Sequence, residues 1–161
     1  TMDNKMFSTI AQLQVPYVLM HIQGTPETMQ DNPHYKDVTI EVISDLMLKL
    51  DQLKNLGVHD VIIDPGFGFG KTVGQNFSLL NDLKQFAVLG HPILVGLSRK
   101  SMINRVLGSN PETALNGTTA LNMIALERGA SILRVHDVKE AMECVKLNTA
   151  ISNSNSNFGD S

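Results

Sequence analysis

The sequence predicts an α/β fold of successive strand–helix units whose strands run parallel. Three observations carry that prediction. A short apolar run, a loop of Gly, Pro, Asn or charged residues and a longer helical period recur four times along the chain. Each short run is apolar almost throughout rather than alternating, as strands covered on both faces of a parallel sheet are. Strand and helix alternate strictly, which favours right-handed parallel crossovers.

In chain order, Phe7 to Leu13 reads as the tail of a helix belonging to a preceding unit. The first strand is Tyr17 to His21 (YVLMH), followed by a helix from Val38 to Leu56 that stops at Gly57. The second strand is Val61 to Asp64 (VIID), with a helix from Asn76 to Phe86 on the apolar period of Phe77, Leu80 and Leu83. The third strand, Ile93 to Leu97 (ILVGL), leads into a short helix at Ser101 to Val106 and a longer one at Leu115 to Arg128, which stops at Gly129. The fourth strand, Ile132 to His136 (ILRVH), precedes a helix from Val138 to Leu147. Residues 1–151 read as one domain with no internal linker, and the polar "SNSNSNFGDS" of 152–161 as a disordered tail.

Composition narrows the partners. At 161 residues and 42% hydrophobic, the chain has the length of a single domain with a real core. A net charge of -3 excludes a broad basic face for nucleic acid, so an anion site must be local and the expected partner is a small molecule. The lone Cys144 lies in a helical pattern and reads as a buried structural thiol. With no secretory signal, the expected location is the cytoplasm. No apolar run approaches the ~18 residues of a membrane span, so no membrane partner is expected.

The run "DPGFGFGKT" from Asp64 invites comparison with a P-loop, which requires Gly, four residues and then Gly-Lys-Ser/Thr. Counted back from Gly70 and Lys71, the first glycine falls on Pro65, which has no N–H to offer a phosphate. Gly74 is also expected to delay the next helix. Another use for Asp64 is therefore needed.

In (β/α) barrels, chemistry is built on the loops after the C-terminal strand ends. Those positions hold His21 and Gln23, then Asp64, then Ser98, Arg99 and Lys100, then Arg134, His136 and Asp137. One isolated carboxylate among several cations suits a polar heterocycle bearing an anionic leaving group.

The stretches "LMHIQGTPETMQ", "DPGFGFGKT", "LVGLSRKSMI" and "RVHDVKE" together resemble dihydropteroate synthase, in that family's order and approximate spacing. The resemblance implies a (β/α)8 TIM barrel, of which this sequence holds the last four βα units. The family's asparagine-bearing first strand, its first two mobile loops and the pterin-contacting residues of its third and fourth strands have no counterpart here. The implied reaction joins 6-hydroxymethyl-7,8-dihydropterin pyrophosphate to p-aminobenzoate in folate biosynthesis, with sulfonamides as aminobenzoate mimics. The implied cofactor is Mg2+, whose ligand would lie in the family's N-terminal half, so no metal ligand is expected in this sequence. A homodimer is also implied.

Residue by residue, the resemblance pairs Asp64 with the pterin's amino group and ring N–H, where the bland alternative is a turn cap. Lys100 would donate to the pterin's carbonyl edge and neighbour the aminobenzoate. Ser101, with its helix start, would receive the aminobenzoate carboxylate, against an ordinary capping serine. Arg134 and His136 stand two apart and so face one side of a strand. They suit a pyrophosphate, and the Arg134 plane could also stack on the pterin. Asp137 reads as a helix cap. Phe67 and Phe69 would wall the aminobenzoate pocket or simply pack the loop, and Met20 would line the pterin slot or sit in the core. Lys71 would reach the anionic region or be solvated, and the role of His21 stays open. Two other readings remain: a truncated half-barrel without catalysis, and the pterin-binding domain of a methyltransferase.

Overall fold

The computed structural model describes residue 3, residues 5–24 and residues 33–156; the "TPETMQ" part of the first matching stretch lies outside the described residues. The described elements are α1 (Met6–Leu13), β1 (Tyr17–Met20), α2 (Val38–Asn55), β2 (Val61–Asp64), α3 (Val73–Asn81), a 3-10 segment (Leu83–Leu89), β3 (Leu94–Val95), α4 (Ser101–Leu107), α5 (Leu115–Glu127), β4 (Ile132–Leu133) and α6 (Val138–Ser156). Strand–helix alternation makes this an α/β protein.

The strands run parallel in sequence order. β1 pairs with β2 with Tyr17 opposite Val61 and Met20 opposite Asp64. A parallel bridge from Ile63 to Ile93 joins β2 to the β3 side, and β3 pairs with β4 at Leu94–Ile132 and Val95–Leu133. This order lacks the reversal of a doubly wound sheet. All strand tips therefore point the same way, and the polar residues after them share one end of the molecule.

Burial follows position in the sheet. Inner strands β2 and β3 bury Val61, Ile63, Leu94 and Val95, whereas Val18 of β1 and Ile132 of β4 are 39% and 36% exposed. The expectation that all four strands are covered on both faces thus fails for the outer two. Among the described residues each outer strand pairs on one side only, which leaves part of it open to solvent. The core joins Leu19, Val42, Leu46, Leu53, Ile63, Phe86 and Leu97.

Helix ends follow local chemistry. Asp37 caps α2 by accepting the Ile40 N–H at 3.0 Å, and at the other end the Gly57 and Val58 N–H groups donate to Lys54 and Leu53 carbonyls. Gly57 takes φ +79°, which a residue with a Cβ would resist. Contrary to expectation, α3 begins directly after Lys71: Thr72 and Gln75 form a reciprocal capping box, and Gly74 is absorbed into the first turn. α3 also ends early, at Asn81, where the Arg128 guanidinium donates to the Asn81 Oδ1 at 2.8 Å and to its carbonyl as well. The chain continues as the 3-10 segment. α6 runs past the expected Leu147 to Ser156, so 152–156 of the expected tail are helical, and its remaining residues 157–161 lie outside the described residues.

Candidate functional site

The geometry starts at Asp64, the last residue of β2 and 1% exposed. In Asp-Pro-Gly the carboxylate can accept the N–H two residues on. Oδ1 does so, taking Gly66 N–H at 2.8 Å. Oδ2 lies 3.2 Å from Arg134 Nη2, near enough for ion pairing, yet it has no hydrogen-bond partner among the described residues. The turn-cap reading therefore accounts for one oxygen and leaves the other as a buried, open acceptor. Burial raises the Asp64 pKa, opposed by the Gly66 hydrogen bond and by Arg134, Lys100 and Lys71.

Lys100 stands at the N-cap position of α4, and Ser101 is the first helical residue, exposed to solvent. The capping-serine reading is thus corrected, since the cap is Lys100 and no side chain closes it. Lys100 Nζ donates to the Phe67 carbonyl and lies 4.7 Å from the Phe69 ring centroid. Burial pushes its pKa down to about 8, with Arg134 lowering it further and Asp64 opposing. A lysine so placed is partly neutral near pH 8.

Arg134 and His136 lie just beyond β4, although the ladder continues through Arg134 N–H to the Val95 carbonyl at 2.9 Å. The guanidinium lies across Gly96, where a Cβ would stand 3.1 Å from Nη2, so the missing side chain makes the room. Ser98 Oγ is 2.8 Å from His136 Nδ1 and also accepts the His136 N–H at 3.2 Å, which leaves Nε2 as the open ring nitrogen. A hollow of about 270 Å³ brings Phe69, Ser98, Lys100, Arg134 and His136 together. A larger hollow of about 330 Å³, lined in part by Met47, Lys54, His59 and His91, lies at the other end of the strands, and no unpaired buried polar atom lines it.

Several residues sit otherwise than expected. Phe67 is fully buried in the core and reaches the site only through its carbonyl, because its ring is the loop's anchor. The Asp137 carbonyl accepts the Ala141 N–H at the start of α6, while its side chain pairs with Arg99 at 2.6 and 3.1 Å, and this pairing holds its carboxyl below the usual range. Lys71 is neither solvated nor in the hollow. It is 3% exposed, with Nζ at 3.0 Å from His21 Nδ1. Burial drives the Lys71 pKa to about 7 and that of His21 to about 3, so His21 is neutral and accepts from the amine. Met20 is half-buried beside Asp64 in the strand register. Sequence reasoning missed the Ser98–His136 and Lys71–His21 pairs, whose members lie 38 and 50 residues apart.

No group of three or more His, Cys, Asp or Glu that could hold a metal occurs among the described residues. Asp64 is the one site carboxylate, and it is engaged by Gly66 N–H beside a guanidinium. These residues do not fit a Mg2+ site. No described helix is long and apolar enough to cross a membrane.

Fold and site together define a parallel α/β protein with an open acceptor and several cations gathered at its strand tips. Residues 1–136 match the sequence profile of the pterin binding enzyme family, and the chain belongs to that family. It is 42% identical over 147 residues to a dihydropteroate synthase of Haemophilus influenzae, covering 90% of this chain and 54% of that one. The Yersinia pestis dihydropteroate synthase with a sulfonamide drug complex superposes with a TM-score of 0.89 at 36% identity, over 91% of this chain and 54% of that one. The Xanthomonas albilineans enzyme in complex with 7,8-dihydropteroate gives 0.85 at 37% identity, over 93% and 55%. The chain thus spans about half the length of the relatives it matches.

Proposed function

We propose that this chain supplies the second half of the (β/α)8 barrel of a dihydropteroate synthase, a transferase of folate biosynthesis. The enzyme condenses 6-hydroxymethyl-7,8-dihydropterin pyrophosphate with p-aminobenzoate and releases pyrophosphate. The observation that carries this reading is the open Oδ2 of Asp64, a buried acceptor beside Arg134 with nothing donating to it among the described residues. A pterin's amino and ring N–H edge fits that acceptor. The matched relatives and their ligands support the substrate class.

On this reading Asp64 and Lys100 grip the hydrogen-bonding rim of the pterin, with Met20 alongside. Arg134 and His136 Nε2 stabilise charge on the departing pyrophosphate as the C–O bond breaks. Ser101 and the start of α4 receive the aminobenzoate carboxylate, and Phe69 flanks its ring. An aromatic amine attacking an activated methylene needs little base assistance, so positioning and electrostatics carry the rate. The working protein is a cytoplasmic homodimer, with Mg2+ held by residues of the barrel's first half.

The test is pyrophosphate release by the complete protein when both substrates are supplied. Turnover that vanishes in Asp64→Ala and Arg134→Ala supports the reading, and a wild-type protein that binds neither substrate refutes it. A second reading is favoured by the exposed flanks of β1 and β4: the chain alone is a half-barrel that binds nothing and pairs through those edges. Sedimentation of the chain and calorimetry with pterin decide it. Binding of a labelled sulfonamide separates both from a methyltransferase domain.

A further inference from the structure

The loop between β2 and α3 carries two of the groups that organise the site, and neither is held by the strand itself. Gly66 N–H orients Asp64 Oδ1 at 2.8 Å, and the Phe67 carbonyl receives Lys100 Nζ. The Phe69 ring, two residues on, faces that same ammonium at 4.7 Å. The separation and aim of Asp64 and Lys100 therefore depend on the shape of this loop.

Lys71 closes the loop from beneath. Its Nζ lies 3.0 Å from the Gly66 carbonyl, 3.1 Å from the Phe69 carbonyl and 3.0 Å from His21 Nδ1 at the end of β1. An ammonium has three N–H donors, and these acceptors use all of them. From the other side, Asn76 of α3 accepts Gly68 N–H at 2.7 Å and donates to the Lys71 carbonyl at 3.2 Å. Gly66 is pressed so closely on β1 that an added Cβ would stand 1.8 Å from the His21 carbonyl oxygen. The amine has no ion pair among the described residues and does not line the hollow. Burying such a cation costs stability that an apolar side chain of similar length would not. Its geometry is that of a fastener, with no route to a substrate.

We propose that Lys71 is a positioning residue that fastens the Gly66–Phe69 loop to β1, so that Asp64 and Lys100 are set for the pterin rim before the ligand arrives. The inference rests on the pterin-recognition reading above. Its effect runs through the loop carbonyls, and the lysine itself touches no reacting atom.

The test compares Lys71→Met with wild type in the complete protein. It reads pterin affinity by calorimetry and amide exchange at Gly66. Lys71→Met is expected to lose about tenfold or more in pterin affinity, the scale of a lost hydrogen bond to a charged group, and to exchange the Gly66 amide faster. Leu53→Val, a core change in α2 far from the loop, serves as a stability control and is expected to hold pterin affinity within about twofold. If Lys71→Met does not fold, Lys71→Leu, which also removes every donor to the loop carbonyls, is read in the same way. Unchanged affinity in the Lys71 variant overturns the proposal, with or without faster exchange, as does an equal loss in Leu53→Val. A wild-type protein that fails to bind pterin removes the functional reading first, and that outcome appears in the wild-type arm alone.

Discussion

Oδ2 of Asp64 stands 3.2 Å from Nη2 of Arg134 without a hydrogen bond between them, so a buried carboxylate oxygen and a half-exposed guanidinium face each other with the contact incomplete. A buried acceptor left unpaired costs roughly 1–3 kcal/mol, and a ligand that donates to it recovers that cost on binding.

Asp64→Ala in the complete protein is expected to lose ~2 to 4 kcal/mol of pterin binding, since the ring edge loses its charged acceptor. Calorimetry with the pterin checks this, and an unaltered dissociation constant would take Asp64 out of the site.

On the proposed reading, Arg134→Ala is expected to weaken a pyrophosphate-bearing pterin more than the bare pterin, because a guanidinium pairs more strongly with an anion than with a neutral ring. Gly96→Ala should reproduce part of that loss, since its Cβ would stand 3.1 Å from Nη2. Parallel losses for both ligands in Arg134→Ala would contradict the assignment to the leaving group.

Two glycines ten residues or fewer apart should respond in opposite directions. Gly66→Ala places a Cβ 1.8 Å from the His21 carbonyl oxygen at φ +72°, and a cost of about 3 kcal/mol or more is expected where neither backbone can yield. Gly74→Ala meets nothing within 4 Å inside α3 and should stabilise by up to ~1 kcal/mol. Urea unfolding of both variants reads the difference, and a Gly66→Ala protein as stable as wild type would show that the loop is not pressed on β1.

Stability should rise with pH above neutrality. Lys71 and Lys100 titrate in the folded protein near 7 and 8 instead of near 10.5, because burial penalises their charged forms. Between those values and 10.5 the unfolded chain binds more protons than the folded one, so the unfolding free energy increases as pH climbs through the window. Urea midpoints between pH 7 and 8.5 should show a shallower rise in Lys71→Met than in wild type. Identical slopes would mean that the Lys71 amine is not depressed.

Much of the fold was legible because it is written in local pattern. The parallel βα order came from four apolar runs and the helical periods between them, and β2 was placed at its observed bounds by Val-Ile-Ile-Asp. The start of α3 was misplaced although its signal was present: Thr72 and Gln75 have capping-box spacing, but Gly74 within the first turn is a weak helix former and obscures it. The early end of α3 had no local signal at all, because the group that closes it, Arg128, arrives from 47 residues away.

The site divides in the same way. Strand-tip position and residue chemistry were enough to nominate Asp64, Lys100, Arg134 and His136, since parallel strands bring their C-terminal ends to one side whatever the details of packing. Which oxygen of Asp64 is spent on the turn, which lysine enters the hollow and which is buried beneath it, and whether Asp137 serves a helix or Arg99 are questions of distance between segments far apart in the chain. Lys71 and Lys100 look equally free as letters. Packing separates them, because one amine finds three acceptors in the interior and the other donates to the Phe67 carbonyl, lies over the Phe69 ring and lines the hollow.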